Sequence, residues 1–221
     1  MSERGMIFNA EMVRALLDGR KTQTRRPIKW KETRFTEIGE REDGSKWPWS
    51  EDAEHACDFW HPCPFGAVGD RIWVREAFRV HSRATDVATL VYKASERNSW
   101  TEQTRRVPVA VCNKPATPEK WTPSLHMPRW ASRILLEITD VRVERLNAIS
   151  EEDAEAEGID MEALYDSQDC YDCIADHNMT GRPTVTGAFK YLWESIYGEE
   201  SWKSNGWVWV ISFKRVEGGA A

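Results

Sequence analysis

The 221-residue sequence has no apolar run near the roughly 20 residues that a membrane-spanning helix needs. Its first residues, MSERGMIFNAEMVR, carry charges where a secretory leader would have its apolar stretch, so export is not expected. Cysteines are few, and their odd number, five, does not suit a disulfide-stapled secreted domain. These absences predict a cytoplasmic protein with reduced thiols and no membrane partner.

Several common catalytic and nucleotide-binding motifs are also missing. The sequence contains no GxGxxG, no GxSxG and no HExxH. The segment 19–22, GRKT, ends like a phosphate-binding loop, but it lacks the upstream glycine and the glycine directly before the lysine. The common nucleotide hydrolases, α/β-hydrolases and zincins are therefore disfavoured, and no cofactor is predicted.

Charge is distributed unevenly along the chain. The net charge of −6 argues against a surface that binds nucleic acid all over. The stretch 20–31 is nevertheless rich in Lys and Arg without one acidic residue, whereas 151–157, EEDAEAE, holds five acids and no base. A patch of one sign can recruit an anionic ligand even on an acidic protein.

Periodicity and turn residues predict an α+β fold. Helices are expected over 9–18, 151–157 and 186–197, and strands over 71–78, 87–93, 133–145 and 207–216. Polar or irregular stretches over 30–62, 94–124 and 160–183 are interpreted as three insertions. The elements alternate without the βαβ rhythm of a doubly wound sheet. We therefore expect one domain over 1–221, a small mixed or antiparallel barrel with flanking helices.

Helix ends carry recognisable capping residues. Asn9 can begin the first helix, and Gly19 follows its end. Ser150 opens the second helix in a variant of the capping box that has Asp153 at its last position, and Gly158 closes it.

A zinc site is a minor hypothesis. Cys170, Cys173 and His177 form a Cys-x-x-Cys-x-x-x-His pattern in the third insertion. A helical turn would place Cys173 and His177 on one face, which suits a structural zinc ion. Thiols and imidazoles scattered in polar loops are the favoured alternative, so no metal is predicted.

Lys21 and Thr24 are candidate reactive groups. On one helical or turn-like face the Lys21 amine could reach the Thr24 hydroxyl. Neighbouring guanidinium groups would lower the pKa of Lys21, and a nearby carboxylate would raise it again. The sequence leaves open which effect prevails. A basic turn that holds a phosphate or a structural acid is the alternative.

Twelve tryptophans are an unusually high number. Most are expected to anchor the core and loops. One or two could instead form a stacking platform for a base, and Trp73 and Trp130 are the candidates.

The segment 17–26, LDGRKTQTRR, resembles the G-x-K-x-x-T-x-R signature of the ASCH domain family. Further landmarks follow in family order. They are 69–74, GDRIWV; 136–141, LEITDV; 149–158, ISEEDAEAEG; and 207–213, WVWVISF. The likeness spans nearly the whole chain and is greatest to phage and prophage members, which share the C-P-x-G-x-x-G-D-R run and 126–131, HMPRWA.

The resemblance implies a PUA-like β-barrel with a cleft for RNA or a nucleobase. Short members of the family include an amidohydrolase that removes the acyl group from N4-acetylcytidine, and its catalytic positions correspond to Lys21, Thr24 and Glu157. In that branch Thr24 would be the nucleophile, Lys21 its base and Glu157 the proton carrier. Other members resemble ribonucleases or non-catalytic RNA binders, and both alternatives stay open.

Further side chains are candidates for contacts with RNA or a modified nucleoside. Arg26 and Arg129 could each bind a phosphate, with a surface ion pair as the alternative. The full set of binding candidates is Arg20, Arg25, Arg26, Trp73, Glu76, Arg129 and Trp130.

Overall fold

The computed structural model describes residues 1–29, 37–52, 57–166 and 184–216. The strands in this part of the chain are β1 (Glu3–Ile7), β2 (Gln23–Pro27), β3 (Glu37–Glu40), β4 (Lys46–Asp52), β5 (Cys57–Trp60), β6 (Arg71–Arg75), β7 (Phe78–Arg83), β8 (Val87–Tyr92), β9 (Thr104–Pro108), β10 (Leu135–Arg145) and β11 (Trp207–Arg215). The helices are α1 (Ala10–Leu17), α2 (Trp100–Gln103), α3 (Glu151–Ala156), α4 (Met161–Asp166), α5 (Val185–Tyr197) and α6 (Glu199–Lys203). The predicted α+β class is confirmed.

The chain forms two compact units. The first contains Met1–Asp18, Gly69–Ile138 and residues 214–216, and the second contains the described parts of Gly19–Val68 and Thr139–Phe213. Strand β10 contributes its first four residues to the first unit and the rest to the second.

In the first unit β6 lies between β1 and β10. It pairs in parallel with β1 and antiparallel with the beginning of β10. A separate antiparallel sheet has the order β7–β8–β9. One face of this second sheet packs in a core that includes Phe78, Leu90, Tyr92 and Met127. Burial of these large apolar side chains is the main favourable contribution to folding here.

In the second unit β11 lies between β2 and the later part of β10. Strands β2 and β11 are antiparallel, with Thr24 opposite Ile211. The core includes Phe189 and Trp193 of α5 together with Val208 and Val210 of β11. Two aromatic side chains of the helix predicted over 186–197 thus pack on alternate side chains of the closing strand.

Helix ends agree with the capping residues of the sequence. Asn9 accepts a hydrogen bond from the Met12 N–H at 2.8 Å, and Ser150 accepts one from the Asp153 N–H at 3.1 Å. Gly19 and Gly158 have φ angles of +80° and +92°. This left-handed backbone is available to glycine without a steric cost, so both helices stop where predicted.

The prediction that 30–62 lacks regular structure is wrong for its described residues. Strands β3, β4 and β5 form an antiparallel sheet in which Trp49 lies opposite Trp60. A Cβ on Gly39 would lie only 3.0 Å from the Trp60 ring, so the glycine makes room for the indole. Pro48 and Gly39 obscured the strand pattern, because both residues are disfavoured in strand interiors.

Other boundaries differ from the predictions in smaller ways. The single strand expected over 71–78 is two strands, β6 and β7, joined at Glu76-Ala77. The second insertion, 94–124, contains α2 and β9, whereas only the beginning of the third, with α4, lies within the described residues. Across the described ranges, no helix is long and apolar enough to cross a membrane.

Candidate functional site

Backbone contacts bring Lys21 and Glu157 together in the second unit, although 136 residues separate them. Lys21 lies just before β2 and forms an isolated antiparallel bridge with Glu157, the residue at the end of α3. The adjacent Thr22 N–H donates to the Ala156 carbonyl at 2.8 Å. Because α3 ends just before Gly158, the carbonyl groups of its last turn can accept hydrogen bonds from the segment before β2.

The two side chains form a buried ion pair. Lys21 Nζ donates to Glu157 Oε2 at 2.6 Å and to the Glu157 carbonyl at 2.8 Å. The Lys21 side chain is 0% exposed and that of Glu157 is 2% exposed. Because this site excludes water, the Lys21 ammonium group depends strongly on its carboxylate partner. Loss of either group would leave an uncompensated buried charge.

Burial lowers the pKa of Lys21 below its ordinary value of 10.5. The Glu157 carboxylate opposes this shift, and the charges of Arg26 and Arg25 reinforce it. The sequence left the sign of the net effect open, and the structure decides it through desolvation, a cause that the sequence did not reveal. A lysine with a lowered pKa has more of the neutral amine, which can accept a proton.

Arg25 is buried and lies between acidic side chains of two elements. Its Nη2 donates to Glu144 Oε2 of β10 at 2.9 Å and to Asp153 Oδ2 of α3 at 2.8 Å. Its Nη1 donates to Gln23 and lies 3.9 Å from Glu157 Oε1. The guanidinium therefore joins the Lys21–Glu157 pair to a wider network through its two terminal nitrogens, whereas its buried Nε has no hydrogen-bond partner among the described residues.

Asp153 is the centre of that network. It accepts hydrogen bonds from Gln23 at 2.8 Å and from Arg142 at 2.7 Å, besides the one from Arg25. Burial alone would raise the pKa of Asp153, but these hydrogen bonds outweigh it and lower the value to about 2. Asp153 is thus an anion that fixes α3 against β2 and β10.

Sequence reasoning missed the roles of Gln23, Arg142, Glu144 and Asp153. One signal was available: Arg142 and Glu144 stand two residues apart in a predicted strand and therefore share a face. Arg142 Nε donates to Glu144 Oε1 at 2.6 Å. Because β2 was not recognised as a strand, nothing in the sequence indicated which residues this face of β10 contacts.

Thr24 lies in β2 and not on the helical or turn-like face that was expected. Its residue is 1% exposed. Gln23 and Arg25 turn their side chains to the carboxylates of α3 and β10, and strand alternation places Thr24 on the opposite face of β2. The structure thus brings together the Lys21 and Glu157 side chains, with Thr24 in the adjoining strand.

Arg20 and Arg26 flank the buried pair along the chain. Arg20 Nη1 donates to the Gly158 carbonyl at 3.0 Å and lies 3.8 Å from Asp160 Oδ2. Arg26 Nη1 donates to the Tyr197 hydroxyl at 3.2 Å. Both arginines are only partly buried, so each retains surface at which an anion could bind.

Glu76 belongs to the first unit and forms a second buried ion pair. Arg133 Nε and Nη2 donate to its two carboxylate oxygens at 2.8 and 2.9 Å. Burial raises the pKa of Glu76, and the hydrogen bonds from Arg133 oppose that shift. The carboxylate is only 2% exposed, so the structure places this binding candidate inside a salt bridge.

The remaining candidates also lie in the first unit. Arg129 Nε donates to Glu3 Oε2 at 2.8 Å in an exposed pair, the alternative considered for this residue. Trp130 packs edge-to-face on Phe78. Trp73 covers Gly5 so closely that a Cβ there would lie 2.5 Å from the ring.

The zinc hypothesis falls on residues outside the described ranges, since Cys170, Cys173 and His177 all belong to 167–183. Within the described ranges no group of three or more His, Cys, Asp or Glu side chains is arranged to hold a metal ion.

Comparison with known proteins finds no matching family model, no matching curated protein and no matching solved structure. The site is therefore interpreted from its own geometry and from the motif likeness described above.

Proposed function

We propose that this protein is an ASCH protein of phage or prophage type, with the PUA-like barrel that the motifs imply. It binds a nucleobase, nucleoside or RNA beside Lys21, Thr24, Arg26 and Glu157, and it hydrolyses the amide of an N4-acylated cytidine. The observation that carries the proposal is the buried pair of Lys21 and Glu157, which unites two of the three amidohydrolase positions at 2.6 Å.

Lys21 and Glu157 have properties that amide hydrolysis needs. In this reaction the Thr24 hydroxyl, which must come within reach of the Lys21 amine, would attack the acyl carbon while its proton passes to that amine in its neutral form. Lys21 would return that proton to the leaving nitrogen as the C–N bond breaks. Water, deprotonated by Glu157, would then attack the acyl ester, and Glu157 would return that proton to the Thr24 oxygen as the ester bond breaks and a carboxylic acid is released. The lowered pKa of Lys21 supports its role as the base.

A non-catalytic RNA-binding module is the second candidate, and burial favours it. Lys21, Thr24 and Glu157 are each no more than 2% exposed, and Lys21 and Glu157 neutralise each other's charge. In that case these residues would stabilise the second unit, and the partly exposed Arg20 and Arg26 would bind phosphate.

The test is turnover of N4-acetylcytidine, followed by chromatography of cytidine. Thr24→Val and Glu157→Gln are expected to lower turnover at least 100-fold. Thr139→Val, an exposed substitution of the same kind in β10, is expected to leave turnover unchanged. Melting temperatures of all variants show whether the lost activity reflects lost folding.

A mixed RNA is assayed in parallel for binding and strand shortening. Absence of turnover, with RNA binding that falls steeply as salt rises, would replace the amidohydrolase with the binding module. Shortened strands would instead identify a ribonuclease. If neither the nucleoside nor RNA binds, the nucleic-acid proposal is wrong.

A further inference from the structure

A groove in the first unit lies on the outer face of the β7–β8–β9 sheet, and none of its lining residues belongs to the proposed function. Its volume is about 510 Å³, within the roughly 300–1,000 Å³ typical of small-molecule sites. It is lined by His81, Ser82, Thr89, Trp100, Thr101, Thr104 and Arg106. The opposite face of the sheet packs in the apolar core, so the groove is built on a packed sheet.

The register of the strands aligns polar side chains across the groove. Thr89 of β8 lies directly opposite Ser82 of β7 on one side and Arg106 of β9 on the other. The pairing of β7 with β8 shifts between Val80 and Ser82, which leaves His81 as the extra residue of a β-bulge. Bulges redirect side chains, and here one adds the imidazole to the lining.

The charge of this sheet favours an anion. Its three strands contain four arginines and one histidine, with no Asp or Glu. Three of the arginines, Arg79, Arg83 and Arg105, donate to backbone carbonyls. Arg106 is exposed and has no hydrogen-bond or ion-pair partner among the described residues. A positive, carboxylate-free groove on a protein of net charge −6 is a local anion site.

His81 supplies a second donor or acceptor that the protein leaves unused. Its Nδ1 is buried and has no hydrogen-bond partner in the described part of the chain. Buried polar atoms are almost always paired, so an unpaired one on a residue that lines a groove is available to a polar ligand. The Ser82, Thr89 and Thr101 hydroxyls add further donors, a set that suits the several oxygens of a phosphate.

Trp100 offers a flat apolar surface beside these donors. Its residue is 52% exposed, and its ring meets His81 edge-to-face with centroids 5.0 Å apart. Helix α2, which carries it, is held by a capping box of Ser99 and Glu102 and by the Thr104 hydroxyl, which donates to the Trp100 carbonyl at 2.7 Å. The exposed indole can therefore stack against a planar ring of a ligand.

We propose that this groove binds a nucleoside monophosphate, with its phosphate on Arg106 and His81 and its base stacked on Trp100. The same chemical group occurs as a free mononucleotide and as one unit of single-stranded nucleic acid. The site lies wholly within the first unit, so it does not rest on catalysis at Lys21.

Calorimetric titration with adenosine 5′-monophosphate tests the proposal, with adenosine and inorganic phosphate as half-ligands. Each half-ligand is expected to bind at least tenfold more weakly than the nucleotide. Arg106→Gln and Trp100→Ala are each expected to weaken nucleotide binding about tenfold, through loss of a charged hydrogen bond and of stacking.

Two control variants match these substitutions. Arg83→Gln removes an arginine of the same sheet outside the groove, and Phe59→Ala removes an aromatic residue of similar exposure in the second unit. Both are expected to bind the nucleotide like the wild type, and the thermal melts of all variants establish that they are folded.

A ten-nucleotide single strand in the same titration distinguishes the two sources. Binding of the strand without binding of the mononucleotide, weakened by Arg106→Gln and Trp100→Ala, identifies nucleic acid as the ligand. Nucleotide binding that neither variant changes, or binding of neither nucleotide nor strand, overturns the proposal. Activity of Lys21 and Thr24 variants on N4-acetylcytidine reports separately on the proposed function.

Discussion

Each unit buries one glutamate against one basic residue, but the two pairs have different chemistry. In the first unit Glu76 meets the Arg133 guanidinium through two hydrogen bonds of 2.8 and 2.9 Å. In the second, Glu157 meets the Lys21 amine through one side-chain contact of 2.6 Å. Arginine keeps its proton at any accessible pH, whereas burial readily lowers the pKa of a lysine. A buried lysine pair can therefore move a proton, and a buried arginine pair cannot.

The surroundings strengthen this difference. Arg133 also donates to Ser95 Oγ at 3.0 Å, and its guanidinium lies 4.1 Å from the centre of the Tyr92 ring. All these contacts hold the guanidinium in one position. Lys21 lies beside Arg25 and Arg26, whose charges oppose its protonation. The contacts of Arg133 thus support its charged form, whereas burial and neighbouring charges disfavour the charged form of Lys21.

The largest expected effect is on stability in the first unit. Arg133→Met leaves Glu76 buried without a partner and should lower the free energy of unfolding by about 3–5 kcal/mol. Arg129→Met is the matched control, because the Arg129–Glu3 pair is exposed and should contribute at most about 1 kcal/mol. Urea denaturation measures both, and equal losses would show that burial does not distinguish these pairs.

Lys21→Arg replaces the lysine–glutamate pair of the second unit with an arginine–glutamate pair like that of the first unit. The charge is kept, but the guanidinium cannot accept a proton from Thr24, so N4-acetylcytidine turnover should fall at least about 100-fold. Lys93→Arg, at an exposed position, is the control and should retain full turnover. Wild-type turnover by Lys21→Arg would exclude Lys21 as the base.

The pH dependence of stability reports the lowered pKa of Lys21 directly. Between the folded pKa and the ordinary value of 10.5, the unfolded chain binds more protons at this residue than the folded chain. The contribution of Lys21 to the free energy of unfolding therefore rises with pH in that window. We expect the free energy of unfolding of the wild type minus that of Lys21→Met, measured by denaturation at several pH values up to 10.5, to increase with pH. A flat or falling difference would contradict the lowered pKa of Lys21.

A smaller effect is expected at Asp153, which supports the second pair from outside. Its pKa of about 2 lies below the ordinary 3.8, so its contribution to stability is present above pH 4 and is lost as pH falls towards 2. Because Asp153 is partly solvated, about 1 kcal/mol is expected after screening. Asp153→Asn should abolish this loss of unfolding free energy between pH 5 and pH 2, measured by denaturation. Asp160→Asn should show the same loss as the wild type.

Local signals predicted much of the secondary structure. Asn9 and Gly19 delimit α1, Ser150 and Gly158 delimit α3, and strong apolar patterns mark β8, α5 and β11. Strand β2 was missed because QTRRP has little strand propensity by itself, and pairing with β11 imposes its extended form. The sheet of β3–β5 was missed for the same reason, since its Trp49–Trp60 pairing joins separate segments.

For the candidate site, too, some properties follow from the local sequence and others only from tertiary contacts. The amino-acid sequence alone determined the helix caps, the alternation of the strong strands and the residue types of the ASCH-like signature, because these depend on neighbours within a few positions. Only the tertiary structure decided that Lys21 and Glu157 meet, that Arg25 is held among Gln23, Glu144 and Asp153, and that burial lowers the pKa of Lys21. These properties depend on contacts across more than a hundred residues and on exclusion of water, which local patterns do not encode.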